Sequence, residues 1–159
     1  MGRPRVKIPL SVLVVVHTPQ LQVLVLERRD HAGFWQSVTG SLDAVDEPLS
    51  QACRREVEEE TGIARPHEAF VDWGVTNRYP IYPQWRHRYA PGVAENVEHV
   101  FGLCVPGPLA VRLAPDEHVA WQWLDWGAAA ERCFSWTNVE AIRRLARRGP
   151  DPVAQAEAR

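Results

Sequence analysis

The chain is 159 residues long, 45% hydrophobic and 24% charged, with a net charge of −2. That length supports one domain with a sizeable core, and the near-neutral charge excludes a strong electrostatic attraction to a nucleic-acid polymer or an anionic membrane. The cysteines, Cys53, Cys104 and Cys133, are odd in number and widely spaced, which excludes a disulfide framework and a paired-cysteine metal site and fits a reducing cytoplasm.

Residues 1–6 read as a flexible basic N-terminus without the long apolar stretch of a signal segment. LSVLVVVH, Leu10 to His17, is a near-continuous apolar run. It is too short to span a bilayer and predicts a strand buried on both faces. Thr18-Pro19-Gln20 breaks it, and LQVLVL, Leu21 to Leu26, predicts the second strand of a hairpin. ERRDHAGFWQSVTGS follows as loop and short strand. From Asp46 the signals turn helical, with Pro48 in the first turn and Gly62 as the C-terminal cap.

AFVDWGVT, IYPQWRHRY and VEHVFGLCV then predict strands, and PGPLA and APDEH predict turns. HVAWQWLDW alternates as a strand and leads into AAAERC, a short helix. Thr137 or Asn138 is expected to cap a last helix, VEAIRRLARR, ended by Gly149-Pro150. Residues 149–159 are expected to form a disordered tail. The predicted fold class is α/β (α+β), a sandwich of helices around a mixed sheet, with a single domain over residues 7–148.

REVEEETG, within the central helix, holds four glutamates in five positions. On a wheel of about 100° per residue, Leu49, Ala52 and Cys53 define an apolar stripe, which Glu56, Glu59 and Glu60 continue. Gln51, Arg54 and Glu58 fall opposite. Two carboxylates about 5.5 Å apart repel by about 3 kcal/mol at an effective dielectric near ~20. Partial burial adds a desolvation cost. Protons or cations must offset this, and oxygen ligands on a rigid helix suit Mg²⁺ or Mn²⁺. The plainer alternative is a surface helix whose acids pair with nearby arginines.

GSLDAVDEPLSQACRREVEEETGI, Gly40 to Ile63, resembles the Nudix box, G-x5-E-x7-R-E-U-x-E-E-x-G-U with U aliphatic. Every position from Glu47 onward matches; six residues rather than five separate Gly40 from Glu47. The extra residue is expected to bulge the loop without turning the helix. The resemblance implies a Nudix-type α/β/α sandwich whose loop–helix–loop holds divalent metal against a diphosphate. Glu56 and Glu60 would be metal ligands, with Glu59 in or next to the coordination sphere. Arg55 and Glu47 would form an ion pair holding the loop to the helix.

Outside the box, RRDHAGFWQSVTGS, RHRYAPGVAENVEHVF and EHVAWQWLDWGAAAERCFSWTNVEAI, together with VKIPLSVLVVV, resemble the dihydroneopterin triphosphate diphosphatases of bacterial folate synthesis. The likeness runs from about Val6 to Arg144. It implies Mg²⁺-dependent hydrolysis of 7,8-dihydroneopterin 3′-triphosphate to the monophosphate and pyrophosphate. It implies that Lys7, the only lysine, and Arg28 meet the triphosphate, that Thr39 donates a hydroxyl, and that Glu117 is an additional metal ligand. Glu98 is the rival for that last role, though its place in a strand-like segment is read as facing solvent.

A pterin needs a flat apolar slot with polar edges. The resemblance puts Tyr79, Pro80, Ile81 and Tyr82 beside it, and Ser135, just before the last helix, at a polar edge. Trp35 and Trp85 are further stacking candidates; Arg86, His87 and Arg88 are second-rank phosphate contacts. Glu56 and Glu117 are the candidates for general base. The expected partner is a small-molecule triphosphate, with no nucleic-acid polymer and no membrane. Two other readings stay open: a (deoxy)nucleoside triphosphate pyrophosphohydrolase of broad specificity, and a catalytically silent nucleotide- or pterin-binding module.

Overall fold

The computed structural model describes residues 6–156, so nearly all of the expected flexible N-terminus and the last three residues lie outside the described residues. One mixed sheet of seven strands organises the rest. Its middle strand is β1 (Leu10–His17), buried from Ser11 onward. The apolar run suits it to both faces of the sheet. Val12, Val14 and Val16 pack with Ala52, Cys53 and Val57 of helix α1 (Leu49–Thr61). Leu13 and Val15 pack on the opposite face with residues of α2 (Trp126–Arg132) and α3 (Trp136–Arg148). The expected helix–sheet–helix sandwich is the observed one.

β1 runs parallel to β6 (Glu95–Cys104) along its whole length, and β6 pairs antiparallel with β5 (Val71–Pro80). On the other side β1 meets β2 (Gln22–Arg28) at His17 and Val23. Beyond that pair the FWQSVTGS segment enters between them. Its first part, β3 (Trp35–Gln36), pairs with β2, and its second, β4 (Val38–Ser41), pairs with β1. β7 (His118–Asp125) covers the far edge of β2. The insertion between β1 and β2 carries Thr39 and Gly40 to the start of the loop that leads into α1.

α1 begins after Pro48 and ends at Gly62, whose φ of 76° lets its N–H reach the Glu58 carbonyl. A left-handed residue costs glycine nothing, so the helix stops there. Two local expectations are corrected. IYPQWRHRY is not a strand: Pro83–Arg88 forms a 3₁₀ helix. Pro83 lacks the N–H that a ladder needs and suits a helical first turn instead. The last helix starts at Trp136 with Ser135 at the N-cap position, so Thr137 and Asn138 lie inside its first turn, buried. Asn138 Oδ1 accepts from the Ser37 N–H at 2.8 Å, and that bond pins the helix start to the β3–β4 segment.

The expected disordered tail is also corrected, for residues 149–156. Ala154 donates its N–H to the Cys104 carbonyl at 2.8 Å. The Asp151 N–H donates to His17 Nε2 at 3.1 Å, and its buried carboxylate accepts from Trp73 Nε1 at 3.1 Å and from Arg148 at 2.5 Å. This segment closes the far end of the β1–β6 pair. The three thiols are free and buried. Among the described residues no helix is long and apolar enough to cross a membrane.

Candidate active site

A cavity of about 1280 Å³ opens between the C-terminal half of α1, the β3–β4 segment, the start of β6 and the start of α3. Every residue nominated for catalysis, metal or substrate lines it except Trp35, one of the two further stacking candidates. Its acidic end follows from the phase of α1. Glu56 and Glu60, four residues apart, both turn inward and are buried, whereas Glu59 sits at the rim with 59% of its side chain exposed. The expectation of three acids facing the body of the protein is thus met by two, with the third at the mouth.

Arg55 organises this end. Its guanidinium donates to both Glu47 oxygens at 3.0 and 3.1 Å, to Glu56 Oε1 at 2.6 Å and to the Ser41 carbonyl at 3.1 Å. The expected Arg55–Glu47 pair is present, and it fastens the loop to the helix despite the extra residue. Arg55 holds the Glu47 carboxyl below its usual range by direct hydrogen bonding. Glu56 differs: burial pushes its pKa up to about 7 against the pull of Arg55. Glu60 is pushed well up, first by burial and then by Glu56 and Glu117. Its Oε2 finds no hydrogen-bond partner among the described residues.

Glu117 comes to the same place from the turn before β7. The Arg29 N–H donates to the Glu117 carbonyl at 2.9 Å and the Arg29 guanidinium to Pro115, which ties that turn to the end of β2. Ligand atoms of Glu60, Glu117 and His118 lie within 4.8 Å of one another. His118 did not stand out in the sequence. Burial lowers its pKa to about 4, so it is a neutral nitrogen donor at neutral pH. A buried carboxylate with an unpartnered oxygen, two further acids and a neutral imidazole fit a divalent cation, which offsets their mutual repulsion.

Cations flank the acids. Lys7 is anchored by its N–H to the Arg88 carbonyl at 2.8 Å. Desolvation in the cleft wall, then Arg88 and Arg28, lower its pKa, while Glu56 and Glu117 oppose that shift. Arg28 faces the cleft with Asp30 as a bidentate counterion at 2.8 Å and stacks over Trp85 at 4.2 Å. Thr39 accepts from Gln36 Nε2 at 3.3 Å.

The far end is aromatic. Tyr82 stacks on Trp85 with ring centroids 5.2 Å apart and meets Phe134 edge-on. Ile81 is buried beneath them, and Tyr79 and Pro80 end β5 along the same wall. Ser135 lines this end too; its hydroxyl pairs with Thr137 Oγ1 at 3.0 Å rather than with the helix backbone. Arg86, His87 and Arg88 also line the cavity. Trp35 does not: it is buried in the core under α2, with Arg132 over its ring at 5.2 Å.

Glu98 is corrected as well. It does not face solvent but lies 2% exposed against this end of the cavity. Asn96, equally buried, lies beside it. The signal that was missed is the spacing of Asn96 and Glu98, two apart on a strand and hence on one face.

A family model described as NUDIX domain matches residues 7–145. The dihydroneopterin triphosphate diphosphatase of Escherichia coli K12 is 43% identical over 142 residues, covering 87% of this chain and 93% of that protein. The enzyme of the same name from Haemophilus influenzae is 35% identical over 136 residues, covering 84% and 85%. The solved structure of the E. coli dihydroneopterin triphosphate pyrophosphohydrolase superposes with a TM-score of 0.83 at 41% identity, covering 90% of this chain and 98% of that one.

Proposed function

Since this chain belongs to the NUDIX family, we propose that it hydrolyses 7,8-dihydroneopterin 3′-triphosphate to dihydroneopterin monophosphate and pyrophosphate, with Mg²⁺ as the working ion and Mn²⁺ as a substitute. The observation that carries this reading is the polarity of one cavity. Buried Glu60, with one carboxylate oxygen unpartnered, and its acidic neighbours stand at one end and a stacked aromatic wall at the other.

Glu60 and Glu117, with Glu56, Glu59 and His118 around them, would hold the cation. When bound, the cation screens phosphate charge, polarises the P–O bond and lowers the pKa of water. Lys7 and Arg28 take up phosphate oxygens that the ion leaves uncovered, and Thr39 supplies a hydroxyl. Tyr79, Pro80, Ile81 and Tyr82 form the wall against which the ring lies, and Ser135 meets its polar side. Glu56 and Glu117 are the carboxylates placed to take the proton of the attacking water. The free, buried thiols fit a cytoplasmic enzyme. The substrate is a small molecule, with no nucleic-acid polymer or membrane as partner.

The test is kcat/KM for dihydroneopterin triphosphate against dATP at fixed Mg²⁺, with the products identified. Preference for the pterin with pyrophosphate release supports the reading. Equal values place the chain among broad (d)NTP pyrophosphohydrolases. A folded protein that releases no pyrophosphate from either is a binding module.

A further inference from the structure

Glu98 is buried in β6, yet its role is not explained by the acidic end of the cavity. Glu98 and Val100 share a face of β6, and Val100 packs in the core beneath α3. The metal-holding glutamates of α1 come from the other side of the sheet, and Glu98 is not among the residues that converge with Glu60 and Glu117.

What surrounds Glu98 points to a ligand with donors. Tyr79 Oη donates to Glu98 Oε2 at 3.4 Å. Asn96 Nδ2 gives its two N–H groups to Tyr79 Oη at 2.9 Å and Ser11 Oγ at 2.8 Å. Asn77 and Thr137 also stand near the Glu98 carboxylate and favour its charged form, yet two atoms here make no hydrogen bond of good geometry among the described residues: Glu98 Oε1 and Asn96 Oδ1. Both are acceptors, both residues line the cavity, and both are 2% exposed. Buried polar atoms are almost always paired, so two acceptors left open in a cavity wall ask for N–H groups from what binds there.

We propose that the Glu98 carboxylate, backed by Asn96, determines ring specificity by accepting the ring N–H and adjacent exocyclic amine of a 2-amino-4-oxo heterocycle. The inference rests on the functional proposal above and names what that cavity reads. A carboxylate matches two parallel N–H donors as it matches an arginine fork. Pterin carries that edge, guanine carries the equivalent one, and adenine does not. The ring faces of Tyr82 and Trp85, stacked on each other, and of Phe134, edge-on to Tyr82, line the same cavity.

Glu98→Gln keeps the shape but turns one acceptor into a donor facing donors. Dihydroneopterin triphosphate, GTP and ATP would be compared with Mg²⁺ as substrates or competitive inhibitors, and binding of unphosphorylated dihydroneopterin followed by its fluorescence. The variant is expected to lose about 30-fold or more with the pterin and with GTP, while ATP changes by less than about 3-fold. Dihydroneopterin binding should fall in parallel. Glu98→Asp, which keeps the charge, should show the same selective loss to a smaller degree if the glutamine variant does not fold. Equal losses on all three triphosphates, or none on the pterin and GTP, overturn the proposal. If wild type rejects the pterin triphosphate, the functional proposal fails, and the GTP-to-ATP ratio still decides the role of Glu98.

Discussion

Gly40 and Glu56 share one small space: a Cβ at position 40 would overlap the carboxyl carbon and both oxygens of Glu56. The glycine therefore lets the helix bring its first inward acid against the β4 strand. Gly40→Ala should displace that carboxylate, because the overlap is with the end of a side chain rather than with backbone. We expect kcat to fall by about 10- to 100-fold, in line with the loss of groups that orient metal ligands, while the melting temperature changes little. A Gly40→Ala enzyme with wild-type kcat would show that Glu56 does not need its position.

Asp30 supplies a pH dependence. Its pKa is lowered to about 2, chiefly by the hydrogen bond from Arg28, with Trp85 and Arg88 assisting against burial. A carboxylate depressed in the folded state stabilises fully above its unfolded pKa, and that contribution is lost as pH falls through the folded one. Wild type should therefore exceed Asp30→Asn in melting temperature at pH 6, and the gap should close between about pH 4 and pH 2. A gap that is constant with pH would contradict the assignment.

The C-terminal segment makes a prediction about stability alone. Asp151 joins His17, Trp73 and Arg148, and a Cβ on Gly102 would overlap the Asp151 carboxylate. Asp151→Ala leaves the half-buried Trp73 indole N–H without its acceptor and the buried His17 ring without its carboxylate neighbour, and should cost about 2–4 kcal/mol in urea unfolding. Below its melting range the variant should keep wild-type kcat/KM, since the cluster lies outside the cavity. Reduced kcat/KM in a folded variant would tie the tail to the site.

How much of this was legible follows from range along the chain. α1 could be placed from its cap, its period and its motif, all within two dozen residues, and β1 from an unbroken apolar run. The tail could not, because Asp151 is held by partners as far away as His17. Glu98 was misjudged because a strand's alternation gives two faces without saying which is covered; α3 and β5 decide that. His118 gave no signal beyond following Glu117, and its burial beside Gln36 comes from the pairing of β7 with β2. Pro83, which has no N–H to give to a ladder, is the residue from which the break in IYPQWRHRY could have been read.

The inward carboxylates of α1 are proposed to hold a divalent cation against polyphosphate, and Glu60 is the residue whose change tests that role most sharply. Glu60→Gln keeps the volume and removes the charge that burial, Glu56 and Glu117 all oppose. The decisive measurement is turnover of dihydroneopterin triphosphate at limiting Mg²⁺, with the melting temperature of the metal-free protein taken alongside. Turnover should fall roughly 100-fold or more, with a metal-free melting temperature at or above wild type. Wild-type turnover by Glu60→Gln at limiting Mg²⁺ would contradict that role.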